Sequence, residues 1–302
     1  MTIRPRPRPR PSRTQVGLVV GVVVLALGLG ACASAGRSHN SAARPAPTLT
    51  GEPITRLAVA GDTGTGPGSR VDATVEAMVR QDAERGFDGL VLLGDLIYPE
   101  GDAAQAPARI SGVFEPLVRR GARLVPVLGN HDYMSGEQAD VLRAVGRRRS
   151  WYVDKVGIVR VIVLDTERIS SRRQTAWLER TLAAPTRAPW TVVAMHKPAF
   201  SAGYHGSDAT VQKAWVPLFT RYGVPLVLAG HDHDYQRSNP IDGVTYIVSG
   251  GAATLRPTGR ADFTAISAST RHFLDLSFYP HSVIGQAIDQ HGTLVDSFEI
   301  RR

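Results

Sequence analysis

A single cysteine, Cys32, among 302 residues leaves no partner for an intrachain disulfide, so a buried core has to hold the fold. Acidic residues are absent from the first 31 positions, which carry five arginines (Arg4, Arg6, Arg8, Arg10 and Arg13). Those five supply most of the formal charge of +8, since past them 30 basic residues face 27 acidic ones, a net of +3. A balance that modest disfavours a nucleic-acid partner, which is not expected, and suits a protein that takes anionic substrates. The apolar stretch from Val16 to Gly30 has fifteen residues, too few where a membrane-spanning helix needs roughly 20. No internal repeat is visible. With 43% hydrophobic residues and no disorder-like composition after the first fifty, the remainder can bury one sizeable core in one globular domain.

What the N-terminus does contain is a three-part pattern: an Arg/Pro region, the apolar stretch, and then Leu29-Gly30-Ala31-Cys32. This reads as a signal peptide, and the tetrapeptide resembles a bacterial lipobox, whose cysteine becomes the lipidated first residue of the mature protein. Residues 1–31 are therefore predicted to be a lipoprotein signal peptide. Residues 32–53, rich in Pro, Ala and Ser, are predicted to be a tether, and 54–302 a folded domain. The expected location is outside the cell, lipid-anchored at Cys32 to the outer face of the membrane.

Along the domain, short apolar runs alternate with amphipathic segments. Runs at Leu57 to Ala60, Gly89 to Leu93, Arg123 to Leu128, Val156 to Leu164, Thr191 to Met195 and Val224 to Leu228 read as buried strands. Helical patterns lie near Val71 to Arg85, Ala108 to Arg120, Gln174 to Ala183 and Thr210 to Tyr222. Past residue 240 only strand-like runs follow, at Val244 to Val248, His272 to Phe278, Ser282 to Ile288 and Leu294 to Ile300. The pattern predicts an α/β fold of two packed mixed β-sheets flanked by helices.

Residues able to bind metal cluster where strands end: Gly61-Asp62-Thr63-Gly64, Gly94-Asp95 with Tyr98, Gly129-Asn130-His131-Asp132, His196, and Gly230-His231-Asp232-His233. Taken singly, a Gly-Asp pair after a strand is an ordinary turn; all five in this order are a signal. In open α/β sheets ligands bind beyond the carboxyl ends of strands, so segments spread over about 170 residues can converge there. His231 and His233 would face opposite ways within a strand, so they share a site only in the loop beyond Leu228.

Together these motifs resemble the calcineurin-like metallophosphoesterase family, and within it the purple acid phosphatase branch in its small single-domain form. The resemblance runs from about Arg56 to the end of the chain. The wider family usually opens with Asp-x-His. Here Asp62-Thr63-Gly64 lacks that histidine, and Tyr98, three residues after Asp95, stands where the branch has a tyrosinate. The resemblance implies a four-layer sandwich with one metal on Asp62, Asp95, Tyr98 and His233, and a second on Asp95, Asn130, His196 and His231. Two carboxylates and a phenolate suit Fe(III), and the more imidazole-rich second set suits a divalent Fe, Zn or Mn ion.

Such a pair of metals would clamp a phosphate and lower the pKa of a bound water, whose hydroxide attacks phosphorus. His131 and His205 are the expected proton donors to the leaving group. Asp132 and Asp232 are placed to orient neighbouring imidazoles, Asp165 to cap the turn after its strand, and Gly250-Gly251 to form a turn behind the metal loop; His39, His272, His281 and His291 are expected to be structural or on the surface. The expected activity is hydrolysis of a small phosphorylated substrate, a monoester. A phosphodiesterase or nucleotidase would use the same core, with specificity set by loops 99–108, 133–150 and 200–208. A reading from another class is a non-catalytic surface lipoprotein that binds metal or phosphate.

Overall fold

The computed structural model describes residues 51–302, so the expected signal segment, Cys32, His39 and nearly all of the tether lie outside the described residues. The elements are β1 (Thr55–Ala60), α1 (Val71–Glu84), β2 (Gly89–Leu93), α2 (Val113–Arg119), β3 (Arg123–Val127), α3 (Gln138–Ala144), β4 (Tyr152–Val156), β5 (Val159–Val163) and α4 (Arg172–Ala183). They continue with β6 (Trp190–Ala194), α5 (Ala209–Arg221), β7 (Leu226–Ala229), β8 (Tyr235–Ser238), β9 (Thr245–Ser249), β10 (Thr264–Ala268), β11 (His272–Phe278), β12 (Ser282–Asp289) and β13 (Leu294–Arg301).

Two mixed sheets result, ordered β13-β12-β11-β1-β2-β3 and β10-β8-β9-β7-β6-β5-β4. In the first, β1, β2 and β3 run parallel, and β11 joins β1 antiparallel. In the second, β5, β6, β7 and β9 run parallel. The period of two along each strand sorts the side chains into layers. Leu57 and Val59 of β1 enter the core between the sheets, with Val161, Val192 and Leu228. Ala58 and Ala60 face the other way, towards Val71 and Met78 of α1 and Phe114 of α2. On the far side, Val193 and Met195 pack against Leu178 of α4 and Trp215 and Phe219 of α5. The order is helix, sheet, sheet, helix, as expected.

Three local expectations are corrected. The run from Val156 to Leu164 is not one strand: Val156 ends β4, Gly157 at φ 51° turns the chain, and β5 begins at Val159 and pairs back on β4. The helix expected near Ala108 to Arg120 opens with a π-helical segment, Pro107–Gly112, before α2 begins. Strands β8 and β10 and helix α3 went unread. Tyr-Gln-Arg-Ser in β8 lacks an apolar pattern because its buried Gln236 and Ser238 are satisfied by hydrogen bonds, Gln236 to Ser201 and Asp234, and Ser238 from the Tyr246 amide.

Of the histidines set aside above, His281 and His291 are exposed, whereas His272 is wholly buried. Its Nδ1 donates to the Thr270 carbonyl at 2.8 Å, so Nε2 accepts from the Ser249 hydroxyl at 2.9 Å and the ring is neutral. Burial pulls its pKa from 6.5 down to about 4, against the lift of the Thr270 bond. The unfolded chain therefore takes the proton first, so the stability that the neutral ring contributes is complete above pH 6.5 and is lost as pH falls towards 4. A gap of that size corresponds to about 3 kcal/mol. In urea titrations between pH 7 and pH 4, His272→Gln is expected to lose stability less steeply than the wild-type protein; parallel curves would show that His272 does not titrate on unfolding.

Candidate metal centre

The sandwich carries the seven expected side chains to one edge. Asp62, Asp95 and Asn130 follow the carboxyl ends of β1, β2 and β3 in one sheet, and His196, His231 and His233 follow β6 and β7 in the other. Asp62, Asp95 and His196 are almost fully buried and offer ligand atoms within 4.8 Å of one another.

The donor atoms fall into two groups. In the first, the Tyr98 hydroxyl lies 3.2 Å from Asp62 Oδ1, 2.9 Å from Asp95 Oδ2 and 3.1 Å from His233 Nε2; His233 Nε2 is 3.4 Å from Asp62 Oδ1. In the second, His196 Nε2 lies 3.0 Å from Asn130 Oδ1, 3.2 Å from His231 Nδ1 and 3.4 Å from Asp95 Oδ1. Asp95 thus gives one oxygen to each group. The rings are oriented from behind: His196 Nδ1 donates to the Leu93 carbonyl at 2.8 Å, which leaves Nε2 with its lone pair towards the site. His233 Nδ1 is buried without a partner, so that ring is held through Nε2 alone.

Backbone strain marks the same residues. Asp62, Asp95 and His231 have φ values of 59°, 50° and 72°, a left-handed conformation that costs about 1–3 kcal/mol where the surroundings impose it. The glycine that precedes Asn130 serves closeness more than turning. A Cβ on Gly129 would collide with Asp95 Oδ1, and one on Gly250 would lie 2.6 Å from Asp62 Oδ2. Gly250 therefore makes room for a carboxylate, and the turn expected at Gly250-Gly251 is absent.

Electrostatics state what this arrangement needs. Among the described residues no Lys or Arg pairs with Asp62 or Asp95, whose only charged neighbours within 4.0 Å are histidines. Burial, foremost, raises the Asp62 pKa; the His233 hydrogen bond and the His196 charge oppose it, and the Asp95 charge adds to the rise. For Tyr98, burial and then the charges of Asp62 and Asp95 push the phenol far above 10. Burial, then the His196 charge, pulls His231 down to about 2, so its imidazole is a neutral donor. Burial alone would lower His196, but Asp95 and Asp62 outweigh it and the net shift is upward. Buried carboxylates and a phenol turned inward, with no Lys or Arg beside them among the described residues, are costly unless a metal cation sits among them, and the set of carboxylate, phenol, amide and imidazole donors fits metal ions.

The remaining residues divide. The His131 amide donates to Asp95 Oδ1 at 2.9 Å, and its Nδ1 donates to the Pro99 carbonyl at 2.6 Å. That leaves Nε2 facing the cleft, 3.9 Å from Asp95 Oδ2. His205 stacks on His231 with ring centroids 4.2 Å apart. Its backbone amide is fixed by Asp232 Oδ1 at 2.7 Å. Asp132 and Asp232 orient no imidazole, which corrects the reading above. Asp132 receives the backbone amides of Leu96, Ile97 and Gly129, tying the Asp95 loop to the Asn130 loop. Asp232 holds the His205 amide and the Ser201 hydroxyl. Asp165 does cap its turn, accepting the Glu167 amide at 3.1 Å.

Two residues escaped the sequence reading. Arg256 lays its guanidinium 4.4 Å from the centre of the Tyr204 ring, and its charge helps to lower the His205 pKa, behind burial as the main cause. Lys197 lines a cavity of about 380 Å3 with His205, Ser207 and His231. Arg256 lies between strands in a segment without a motif, so nothing in the spacing marks it.

A two-sheet sandwich with this cluster at its edge defines a metal-dependent phosphoesterase. The family model for calcineurin-like phosphoesterases matches residues 55–235, which include all seven residues, and the chain belongs to that family. Among curated relatives, the mouse tartrate-resistant acid phosphatase type 5 is 27% identical over 262 residues, covering 74% of this chain and 77% of that protein. Purple acid phosphatase PPD1 from yellow lupin seeds superimposes with a TM-score of 0.74 at 20% identity, over 85% of this chain and 55% of the lupin chain. GAP50, the anchor in the inner membrane complex of Plasmodium, has the same fold, with a TM-score of 0.71 at 16% identity over 82% of this chain and 88% of its own.

Proposed function

We infer that the protein hydrolyses phosphate monoesters at a dinuclear centre of the purple acid phosphatase type. The observation that carries this reading is the split of the Asp95 carboxylate, Oδ2 in the group with Tyr98 and Oδ1 in the group with His196. Asp62, Asp95, Tyr98 and His233 would hold one cation, and Asp95, Asn130, His196 and His231 the other. The pair, when bound, would supply positive charge for the phosphate and an activated water. His131, fixed through Nδ1 on the Pro99 carbonyl, presents Nε2 as the group that hands a proton to the leaving oxygen. His205, exposed and stacked on His231, presents a second imidazole beside the group that holds His196 and His231. Rates of the purified protein on p-nitrophenyl phosphate and bis-p-nitrophenyl phosphate test this reading; a preference for the diester, or turnover of neither, contradicts it.

We assign Fe(III) to the first group and a divalent ion to the second. The Tyr98 phenol keeps its proton beside two buried carboxylates unless a strong Lewis acid replaces that proton, and the hard anionic oxygens of Asp62, Asp95 and Tyr98 favour a trivalent ion. A phenolate on Fe(III) gives a visible charge-transfer band. Tyr98→Phe is expected to erase that band and to lower activity more with added iron than with added manganese. A colourless wild-type protein, active with two divalent ions and no iron, would refute the assignment.

The lipid anchor at Cys32 and the location on the outer membrane face belong to the same proposal, supported by Leu29 to Cys32 and the Pro/Ala-rich segment behind it. Metabolic labelling with a radioactive fatty acid is expected to mark the wild-type protein and to miss Cys32→Ser; an unlabelled wild type would end the idea.

A further inference from the structure

A second cavity, of about 730 Å3, lies beyond the His131 turn. Tyr133, two residues after His131, lines it. So do Arg148, Arg149, Arg168, Arg172, Arg173 and Arg180, drawn from the segment between α3 and β4, the turn after β5, and α4. Six guanidinium groups around one concavity repel each other, and the nearby carboxylate of Asp165, whose charge is felt by Arg168, cannot balance six of them. Four other acids near in sequence are paired with other bases: Asp154 with Arg123 and Arg147, Glu167 with Lys197, Glu179 with Arg221, and Asp140 with Arg143, while Asp165 accepts from the Tyr133 hydroxyl at the cavity's margin. Among the described residues none of the six arginines forms an ion pair.

Their placement also opposes local electrostatics. Arg172 and Arg173 open α4, whose first turn holds no acid, although the partial positive charge of a helix N-terminus favours anions there. Trp151 and Trp177 line the cavity as well, and Arg168 sits 5.4 Å from the Trp151 ring centre. Indole walls lower the local dielectric and strengthen an arginine's pull on an anion. The volume suits a ligand, or a segment of one, more than a flat membrane surface. β5, whose carboxyl end leads to Arg168, pairs with β6, whose carboxyl end leads to His196, so cavity and metal centre share one edge of the sheet.

We propose that this cavity is a second anion subsite, which takes the remote phosphates of an extended, multiply phosphorylated substrate whose terminal phosphate lies at the metal centre. The inference rests on the phosphomonoesterase reading for its terminal phosphate but not for the cavity's affinity. Long-chain linear polyphosphate is the probe. Its binding is read by stopped-flow tryptophan fluorescence before turnover, on the wild-type protein and on two double variants, Arg172→Gln with Arg173→Gln and Arg148→Gln with Arg149→Gln. Each pair removes two charge-assisted contacts, so Kd is expected to rise by about tenfold or more. The ratio of kcat/KM for polyphosphate to that for p-nitrophenyl phosphate is expected to fall by a similar factor, and raised salt should shrink the difference. Unaltered polyphosphate Kd in both double variants overturns the subsite and leaves the phosphatase reading standing. Loss of polyphosphate affinity in the variants of a protein that never hydrolyses p-nitrophenyl phosphate supports the subsite and overturns the phosphatase reading instead. Wild-type binding to phosphatidylglycerol vesicles without binding to polyphosphate would assign the arginines to a membrane surface and end the proposal.

Discussion

Asp95→Asn is expected to cut turnover of p-nitrophenyl phosphate at least as far as the loss of one pre-placed charge-stabilising group, about 10²- to 10³-fold, and to lower bound metal below two ions per chain. The substitution is informative because so little else changes. Asparagine tolerates the left-handed conformation that Asp95 adopts at φ 50°, and its carbonyl oxygen still accepts the His131 amide. What disappears is the negative charge shared by the two donor groups. An Asp95→Asn protein with full activity and two ions would mean that Asp95 shapes the loop without bridging anything.

The second large effect is expected of His131→Ala, with kcat down by about 10² or more, the scale for losing a positioned proton donor, while both metals stay bound. His131 offers no donor atom to either group; its nearest approach is Nε2 to Asp95 Oδ2 at 3.9 Å, and the backbone amide that braces Asp95 survives the substitution. Asp95→Asn is expected to lower the metal content, whereas His131→Ala leaves the centre filled and slow. Elemental analysis and kinetics on the same preparations separate the two, and a His131→Ala enzyme as fast as the wild type removes its catalytic role. A leaving group with a low pKa, such as p-nitrophenol, needs protonation least, so alkyl phosphates should suffer more than p-nitrophenyl phosphate.

The layers were legible because buried parallel strands leave unbroken apolar runs. Gly89–Leu93 and His272–Phe278 stand in the structure with the bounds read from the sequence. Strands whose buried faces are polar were not legible. Gln236 and Ser238 of β8 satisfy themselves through Ser201, Asp234 and the Tyr246 amide, and hydrogen bonding leaves no trace in hydropathy. The candidate site was legible in its side chains, because glycine-flanked Asp, Asn and His at strand ends announce a crevice, and their convergence follows from two parallel runs of strands meeting at one edge. Their supports were misread. Asp132 looked like an imidazole's partner, and its use of three backbone amides depends on how the loops after β2 and β3 meet. Arg256 and the six arginines of the second cavity were invisible for a related reason: they come from separate loops and helices, and only the folded chain puts them side by side.

The metal content of the purified, active protein tests the dinuclear centre most directly. Elemental analysis alongside p-nitrophenyl phosphate turnover is expected to find two ions per chain, one of them iron, with activity lost on chelation and regained when both ions are returned. Undiminished turnover by a protein carrying no metal, or one ion alone, would contradict the two-cation site built on Asp95.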